Sequence, residues 1–385
     1  MTASLPADHA EGMTEGPSSL SGPDYTHNNQ AAATRDDDAG RWVAADESGW
    51  DGEQLYRRAD RYLSIGSVAI DDETAAPIVR QLRHDARLSE PAELKFAQFK
   101  SQNRLDVLAA LLGPDGPLAG RTRVYLVDKH YFVASKIIDL LLEEEAHARG
   151  INLYEGDVAR RAAWTLFTSG PRALGAEGFD RIIATMVGFA SARNRDGSVV
   201  SVDALFEEFR LAFARARRRD VSQILAALLR TRKHAENYLR TLGQQAALLP
   251  AMEPLIAALP LIANLWSDEI GALSMLTDEH KVLTDERLDI IARRAALDVQ
   301  PAGPGMGVRR RPPERAVRAV LRGVSRDHPS IQLADLVAGA GQAVARRHAG
   351  VPSPPGERLY PLIVPVISPE SLVPHDDPAR FAAVG

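Results

Sequence analysis

Arg41-Trp42-Val43-Ala44-Ala45-Asp46-Glu47-Ser48-Gly49 is the stretch of sequence from which the fold can be predicted. Its four apolar residues, 42–45, predict a strand that is buried on both faces. Two carboxylates, a hydroxyl and a glycine follow directly. Taken alone, these four residues are a polar turn at the end of a strand. A buried strand that ends in carboxylates is also a common way to build a metal site on a rigid scaffold, so the remaining acids decide between the two interpretations.

Other carboxylates stand in comparable places. The apolar run 124–127 is followed by Asp128, and a later predicted strand ends in Asp278. Asp335 differs, because it lies in a predicted helix, 330–348, whose neighbouring residues are apolar or small. A carboxylate on such a helix is costly to bury unless it is paired or binds a metal. The alternative is that Asp335 lies on the polar edge of that helix.

The order of elements predicts an α/β fold, a mixed sheet flanked by helices, because predicted strands alternate with predicted helices. Residues 62–70 form a second strand that we expect to be antiparallel to the first. Residues 92–96 are predicted to be a short extended piece, in which Glu93 and Lys95 share one face. Residues 316–322 fit a strand or a helix equally well.

Four parts of the chain differ in composition. They are an acidic tail at 1–40, an α/β core at 41–150 and 266–350, a large helical insertion at 151–265, and a C-terminal extension at 351–385. The tail holds seven acids and one base, a net charge of −6, which leaves +1 for the rest of the chain. It has almost no aliphatic periodicity, so we expect it to be disordered.

Composition also excludes several classes of function. The 385 residues contain no cysteine, so disulfides, thiol catalysis and cysteine-ligated zinc are ruled out. No run of about 18 apolar residues predicts a membrane span. The first residues have neither a basic segment nor an apolar core, so no secretory signal is predicted and a cytoplasmic location is expected by default.

Candidate chemistry centres on Asp46, Glu93, Asp128 and Asp335, with Asp278 as a possible replacement for one of them. Grouped carboxylates without cysteine or paired histidines suit hard cations, Mg²⁺ or Mn²⁺. Two such ions can stabilise the attacking and the leaving oxygen in phosphodiester cleavage. Lys95 or Lys129 is a candidate to hold a phosphate oxygen, and the alternative for either is a surface or ion-paired lysine.

Basic residues are concentrated in two places and would suit a nucleic-acid backbone, which attracts Lys and Arg regardless of base sequence. The first cluster could equally be a solvated helical face. The clusters consist of Arg215, Arg217, Arg218, Arg219, Arg230, Arg232 and Lys233, and of Arg309, Arg310 and Arg311.

Four short motifs resemble those of the domain-of-unknown-function family 3800, whose members are ribonuclease H-like α/β proteins. The motifs are Asp46-Glu47-Ser48-Gly49, Glu93-Leu94-Lys95, Val127-Asp128-Lys129 and Gln332-Leu333-Ala334-Asp335. The resemblance covers about 41–150 and 270–348. It implies a ribonuclease H-like core with an acidic centre made of Asp46, Glu93, Asp128 and Asp335.

Three functions are therefore compared. The first is a Mg²⁺- or Mn²⁺-dependent nuclease acting on DNA or RNA, in which Asp46 and Asp335 flank the metal, Asp128 completes the site, and Glu93 binds metal or positions water. Lys95 would assist in that site. The second is a non-catalytic protein of the same fold that binds nucleic acid or has a regulatory role. The third is a structural protein whose helical insertion mediates oligomerisation.

Overall fold

A five-stranded mixed sheet forms the centre of the protein, which we describe from a computed structural model. The strands of the chain are β1 (Arg41–Ser48), β2 (Tyr62–Val68), β3 (Thr122–Asp128), β4 (Leu273–Asp278), β5 (Val299–Gln300), β6 (Arg309–Arg310) and β7 (Val317–Gly323). The order across the central sheet is β3-β2-β1-β4-β7. β2 is antiparallel to both β1 and β3, whereas β4 is parallel to both β1 and β7. β5 and β6 form a separate antiparallel pair.

The structure describes residues 41–52, 55, 60–89, 93–153, 155–191, 199–245, 250–296, 299–300, 309–310 and 317–374. These described residues belong to one compact unit. The predicted disorder of the acidic tail falls on residues outside the described ranges, and so does Arg311 of the second basic cluster.

Thirteen α-helices lie in the described ranges. They are α1 (Asp72–Asp85), α2 (Gln102–Leu112), α3 (Lys129–Ile137), α4 (Glu144–Ala148), α5 (Val158–Leu174), α6 (Ala176–Ala190), α7 (Val202–Arg215), α8 (Arg219–Leu228), α9 (Arg232–Gln245), α10 (Pro254–Ile270), α11 (Asp285–Ala296), α12 (Pro329–His348) and α13 (Pro354–Ile363). A π-helical turn at Ile138–Glu143 joins α3 to α4, and one 3₁₀ turn spans Phe96–Gln98.

The helices cover both faces of the sheet and produce two apolar cores. Val43 and Ala45 of β1 pack into one core together with α3, α5 to α8, α10 and α11. Ala44 packs into the other core together with α1, α2, α12 and α13. Successive strand residues point to opposite faces, so an apolar run is needed where both faces are covered. The same alternation directs Asp46 toward α12 and Glu47 toward the opposite face.

The predicted mixed sheet flanked by helices is confirmed, and so are the two opening antiparallel strands. Residues 93–95 are irregular and lead into a 3₁₀ turn, so the predicted extended piece does not join the sheet. Residues 317–323, which fitted either type of element, form the edge strand β7. At the opposite edge, Ile367 and Leu372 make bridges to β3, so C-terminal residues cover that edge.

None of the helices in the described ranges combines the length and the apolar character that crossing a bilayer requires.

Candidate active site

Three acidic side chains lie within 4 Å of one lysine beside the C-terminal ends of β1 and β4. Lys95 Nζ lies 2.8 Å from Glu93 Oε1, 3.8 Å from Asp335 Oδ1 and 3.9 Å from Asp278 Oδ2. Asp46 is near enough for its charge to raise the pKa of Lys95. We call Asp46, Glu93, Asp278 and Asp335 the acidic group. Lys95 is 37% exposed, so this group can be reached from solvent.

Asp46 is the most deeply buried member of the acidic group, with 5% of its surface exposed. Its Oδ1 accepts a hydrogen bond from the backbone N–H of Glu47 at 2.7 Å. Its Oδ2 is buried and has no hydrogen-bond partner among the described residues. A buried carboxylate oxygen without a partner is costly and needs an explanation, which binding of a ligand would supply.

Asp335 projects from α12, which is buried along almost its whole length. Its Oδ2 accepts a hydrogen bond from the backbone N–H of Phe96 at 2.6 Å, whereas its Oδ1 faces Lys95. The carboxylate thus has a structural partner on one oxygen and a charged neighbour on the other. Asp335 is partly exposed, with 17% of its side chain accessible, whereas the other residues from 330 to 345 are buried.

The segment that carries Glu93 and Lys95 is held by side chains from α12 and from its own turn. Gln332 Oε1 accepts a hydrogen bond from the N–H of Leu94 at 3.1 Å, and its Nε2 donates to the carbonyl of Ser325 at 2.8 Å. Gln98 bonds to the backbone of both Glu93 and Lys95. Glu93 and Lys95 therefore lie side by side because these hydrogen bonds hold their backbone, and not because the segment pairs as a strand.

Asp278 ends β4, and the loop after β7 ties it to the rest of the acidic group. Its Oδ1 accepts hydrogen bonds from the N–H of Glu279 at 2.9 Å and of Ser325 at 3.1 Å. The Ser325 hydroxyl contacts Glu93 and lies 3.4 Å from Lys95 Nζ. Ser325 therefore joins three members of the site. Sequence reasoning missed it, since it follows the segment whose element type was undecided.

Two members of the acidic group, Asp46 and Asp335, have a raised pKa. Burial raises the pKa of Asp46 well above its ordinary value, and the charges of Glu47, Asp335 and Asp278 raise it further. Burial also raises the pKa of Asp335, although the Phe96 N–H opposes this. Burial lowers the pKa of Lys95, but its hydrogen bond to Glu93 and the nearby acids outweigh that, and its pKa is raised overall. Perturbed groups in one place are typical of functional sites.

Glu47 lies on the opposite face of β1 in a second polar group. Its Oε1 is 3.8 Å from His280 Nε2, and the ring of His280 meets that of Trp50 edge-on with the centroids 4.1 Å apart. Trp50 Nε1 donates a hydrogen bond to Glu253 at 2.9 Å. Burial, together with the charges of Asp278 and Glu253, raises the pKa of Glu47 from 4.5 to about 7.

We expect Glu47→Gln to flatten the dependence of stability on pH. Folded wild-type protein holds the Glu47 proton up to a pKa of about 7, whereas the unfolded chain releases it near 4.5. Wild-type stability should therefore fall as pH rises from 4.5 to 7, by roughly 2–3 kcal/mol from this residue. Urea unfolding at pH 5 and pH 8 measures the difference. The control is Glu286→Gln, at an exposed position. If the stability of Glu47→Gln changes with pH as much as that of wild type, the pKa of Glu47 is not raised in the folded protein.

The structure does not bring Asp128 into the acidic group, which corrects its predicted place. Strand registers pair Asp46 with Gly66 and Asp128 with Tyr62. Asp128 therefore lies two strands away, roughly 10 Å across the sheet, and four residues, roughly 13 Å, further along it. It is fully buried and caps α3 by accepting hydrogen bonds from two backbone N–H groups, while Arg61 pairs with it at 2.5 Å.

Lys129 is likewise excluded as a phosphate ligand. Only 1% of its surface is exposed, and its Nζ donates to Asp51 Oδ2 at 2.5 Å and to the carbonyl of Asp60 at 2.8 Å. Its charge is therefore used to hold the loop after β1 against the start of α3. Lys95 is the candidate that the structure leaves for this role.

The acidic group has the donor chemistry of a site for hard cations but is arranged around an ammonium group. In the described part of the chain, no three His, Asp or Glu side chains are placed as ligands of one ion. Lys95 explains this arrangement, since its Nζ lies between the carboxylates. The fit to Mg²⁺ or Mn²⁺ depends on the oxygen-only donor set and on the unpartnered Oδ2 of Asp46.

In comparisons with known proteins, no family model, no curated protein and no solved structure matches this chain.

Proposed function

We propose that the protein is a Mg²⁺- or Mn²⁺-dependent phosphodiesterase that cleaves DNA or RNA, built on a ribonuclease H-like core. The observation that carries the proposal is the meeting of Asp46, Glu93, Asp278 and Asp335, which come from four separate segments, beside the ends of two parallel strands. The mixed sheet, with three antiparallel strands followed by two parallel ones, is consistent with such a core.

In this proposal the acidic group holds the metal, with Asp278 in the role predicted for Asp128. A divalent ion bound there would activate water and stabilise charge on the leaving oxygen. Asp46 supplies a rigid ligand, since β1 is paired on both sides. Lys95, which is partly exposed, provides a positive charge for a non-bridging phosphate oxygen. In the metal-free protein Glu93 holds Lys95 through their 2.8 Å contact.

The helical region between β3 and β4 is proposed to be an insertion that contributes nucleic-acid binding. At the turn from α7 to α8, the side chains of Arg215, Arg217, Arg218 and Arg219 are all exposed. Asp220 pairs with Arg218 at 3.0 Å, and the described residues form no ion pair with the other three guanidinium groups, which are available for phosphate. This turn also supports the second candidate, a non-catalytic nucleic-acid-binding protein, because binding of this kind needs no metal.

A cleavage assay distinguishes these two functions. Purified protein is incubated with labelled single- and double-stranded DNA and RNA, with Mn²⁺ or with EDTA. We expect cleavage only with Mn²⁺, and a loss of about 100-fold in Asp335→Asn, because the amide keeps an acceptor for the Phe96 N–H but loses the charge. The exposed Asp115→Asn is the control. If Asp335→Asn cleaves as fast as wild type, the acidic group is not the active site. Salt-dependent binding of nucleic acid without cleavage would establish the second candidate, a non-catalytic nucleic-acid-binding protein.

A further inference from the structure

The position of Lys95 has a consequence for how the acidic group is neutralised. One ammonium lies within 4 Å of three carboxylates, and the buried Asp46 adds a fourth carboxylate nearby. At such distances, charges that are partly shielded from water interact strongly. The ammonium lies between oxygens of different segments, in the region where a divalent ion held by these carboxylates would lie.

We propose that Lys95 is a built-in counter-cation that competes with a divalent metal ion for the acidic group. The inference rests on the proposed function, because it takes the same carboxylates as the metal ligands. Without metal, the ammonium holds Glu93, Asp278 and Asp335 together. When a divalent ion binds, the ammonium must leave the space between them, and its position at the solvent-exposed side allows it to turn toward a phosphate group.

A purely structural role for Lys95 predicts the opposite effect on metal binding. If the ammonium only maintained the segment 93–98, its removal would loosen Glu93 and weaken binding of a metal ion. If it competes, its removal leaves four carboxylates without their cation and strengthens binding. The sign of the change in metal affinity therefore separates the two roles, and it can be measured without any substrate.

The test is calorimetric titration of Mn²⁺ into wild-type protein, Lys95→Met, Lys95→Arg and Lys100→Met. Lys100 is exposed and lies five residues away, so Lys100→Met is the matched control. We expect Lys95→Met to bind Mn²⁺ at least about tenfold more tightly than wild type. Lys95→Arg, which keeps the charge, and Lys100→Met should bind as wild type does. Lys95→Gln replaces Lys95→Met if the latter does not fold.

Equal or weaker binding of Mn²⁺ by Lys95→Met would overturn the competition, and so would absence of binding in every variant. Failure of the proposed function is a separate result, since it is read from the cleavage assay. Tighter binding by Lys95→Met together with no cleavage by wild type would uphold the counter-cation and reject the nuclease. Cleavage by wild type, together with an unchanged Mn²⁺ affinity in Lys95→Met, would uphold the nuclease and reject the counter-cation.

Discussion

Asp46→Asn is expected to reduce metal-dependent cleavage by about 1,000-fold and, at the same time, to raise the stability of the metal-free protein. The activity should fall because Asp46 is the most buried carboxylate of the acidic group and lies on the strand paired on both sides. The stability should rise because the buried Oδ2 has no hydrogen-bond partner in the described part of the chain, and burial and repulsion raise the pKa of the group.

The expected gain in stability at neutral pH is roughly 1–2 kcal/mol, the size typical of removing a strained functional group. It should shrink in acid, since a protonated Asp46 no longer carries the unfavourable buried charge. Mn²⁺ should raise the melting temperature of wild type, because a ligand that binds only the folded state stabilises it, and should have little effect on Asp46→Asn. Differential scanning fluorimetry with and without Mn²⁺ measures both effects.

The control for Asp46→Asn is again Asp115→Asn, which lies on an exposed loop and should change neither quantity. A variant that loses stability and keeps cleavage would show that the buried carboxylate is structural. If Asp46→Asn instead gains stability and loses cleavage, the Asp46 carboxylate lowers the stability of the wild-type protein and is needed for activity.

The parts of the site that could be predicted are those with a local signal. Asp46 and Asp278 each end an apolar run, and Asp335 is conspicuous as an acid within an apolar helix. Asp128 carries the same local signal and yet lies elsewhere, because its place depends on the order of strands. It ends β3, the edge strand, where it caps a helix and pairs with Arg61. No local pattern distinguishes a capping carboxylate from a metal ligand.

The Glu93–Lys95 segment shows a second limit of sequence reasoning. The expectation that the two side chains adjoin is correct, but the expected strand is absent from the described residues 93–98. Their backbone is held by Gln332 and Asp335, more than 230 positions away in the chain. Such distant side-chain bonds leave no periodic signal in the segment that they hold, so its conformation could not be predicted from its own residues.

Gly66→Ala is expected to destabilise the protein by roughly 3–5 kcal/mol, an unusually large effect for adding one methyl group. Gly66 lies in β2 directly opposite Asp46. A Cβ at this position would be 2.2 Å from the backbone nitrogen of Ala338 and 2.6 Å from the backbone oxygen of Ala334. Both atoms belong to the backbone of α12, which cannot turn aside as a side chain can. The substitution must therefore move the helix away from the sheet.

Gly66→Ala also tests the geometry of the acidic group, because Ala334 and Ala338 flank Asp335 on α12. A helix displaced from β2 carries Asp335 away from Asp46, so Mn²⁺-dependent stabilisation should be lost together with folding stability. The control is Gly178→Ala in α6, where the nearest atom to the added Cβ is at an ordinary 3.4 Å and the change should be within about 1 kcal/mol. Urea unfolding with and without Mn²⁺ measures both quantities.

The two possible outcomes for Gly66→Ala bear directly on the close approach of helix and sheet. If the variant is as stable as Gly178→Ala, α12 does not lie as close to β2 as the structure has it, and the approach of Asp335 to Asp46 loses its support. If the variant is insoluble while Gly178→Ala is not, the contact is essential to folding. A glycine inside a strand is otherwise unfavourable, so a close backbone contact is the physical reason for its presence here.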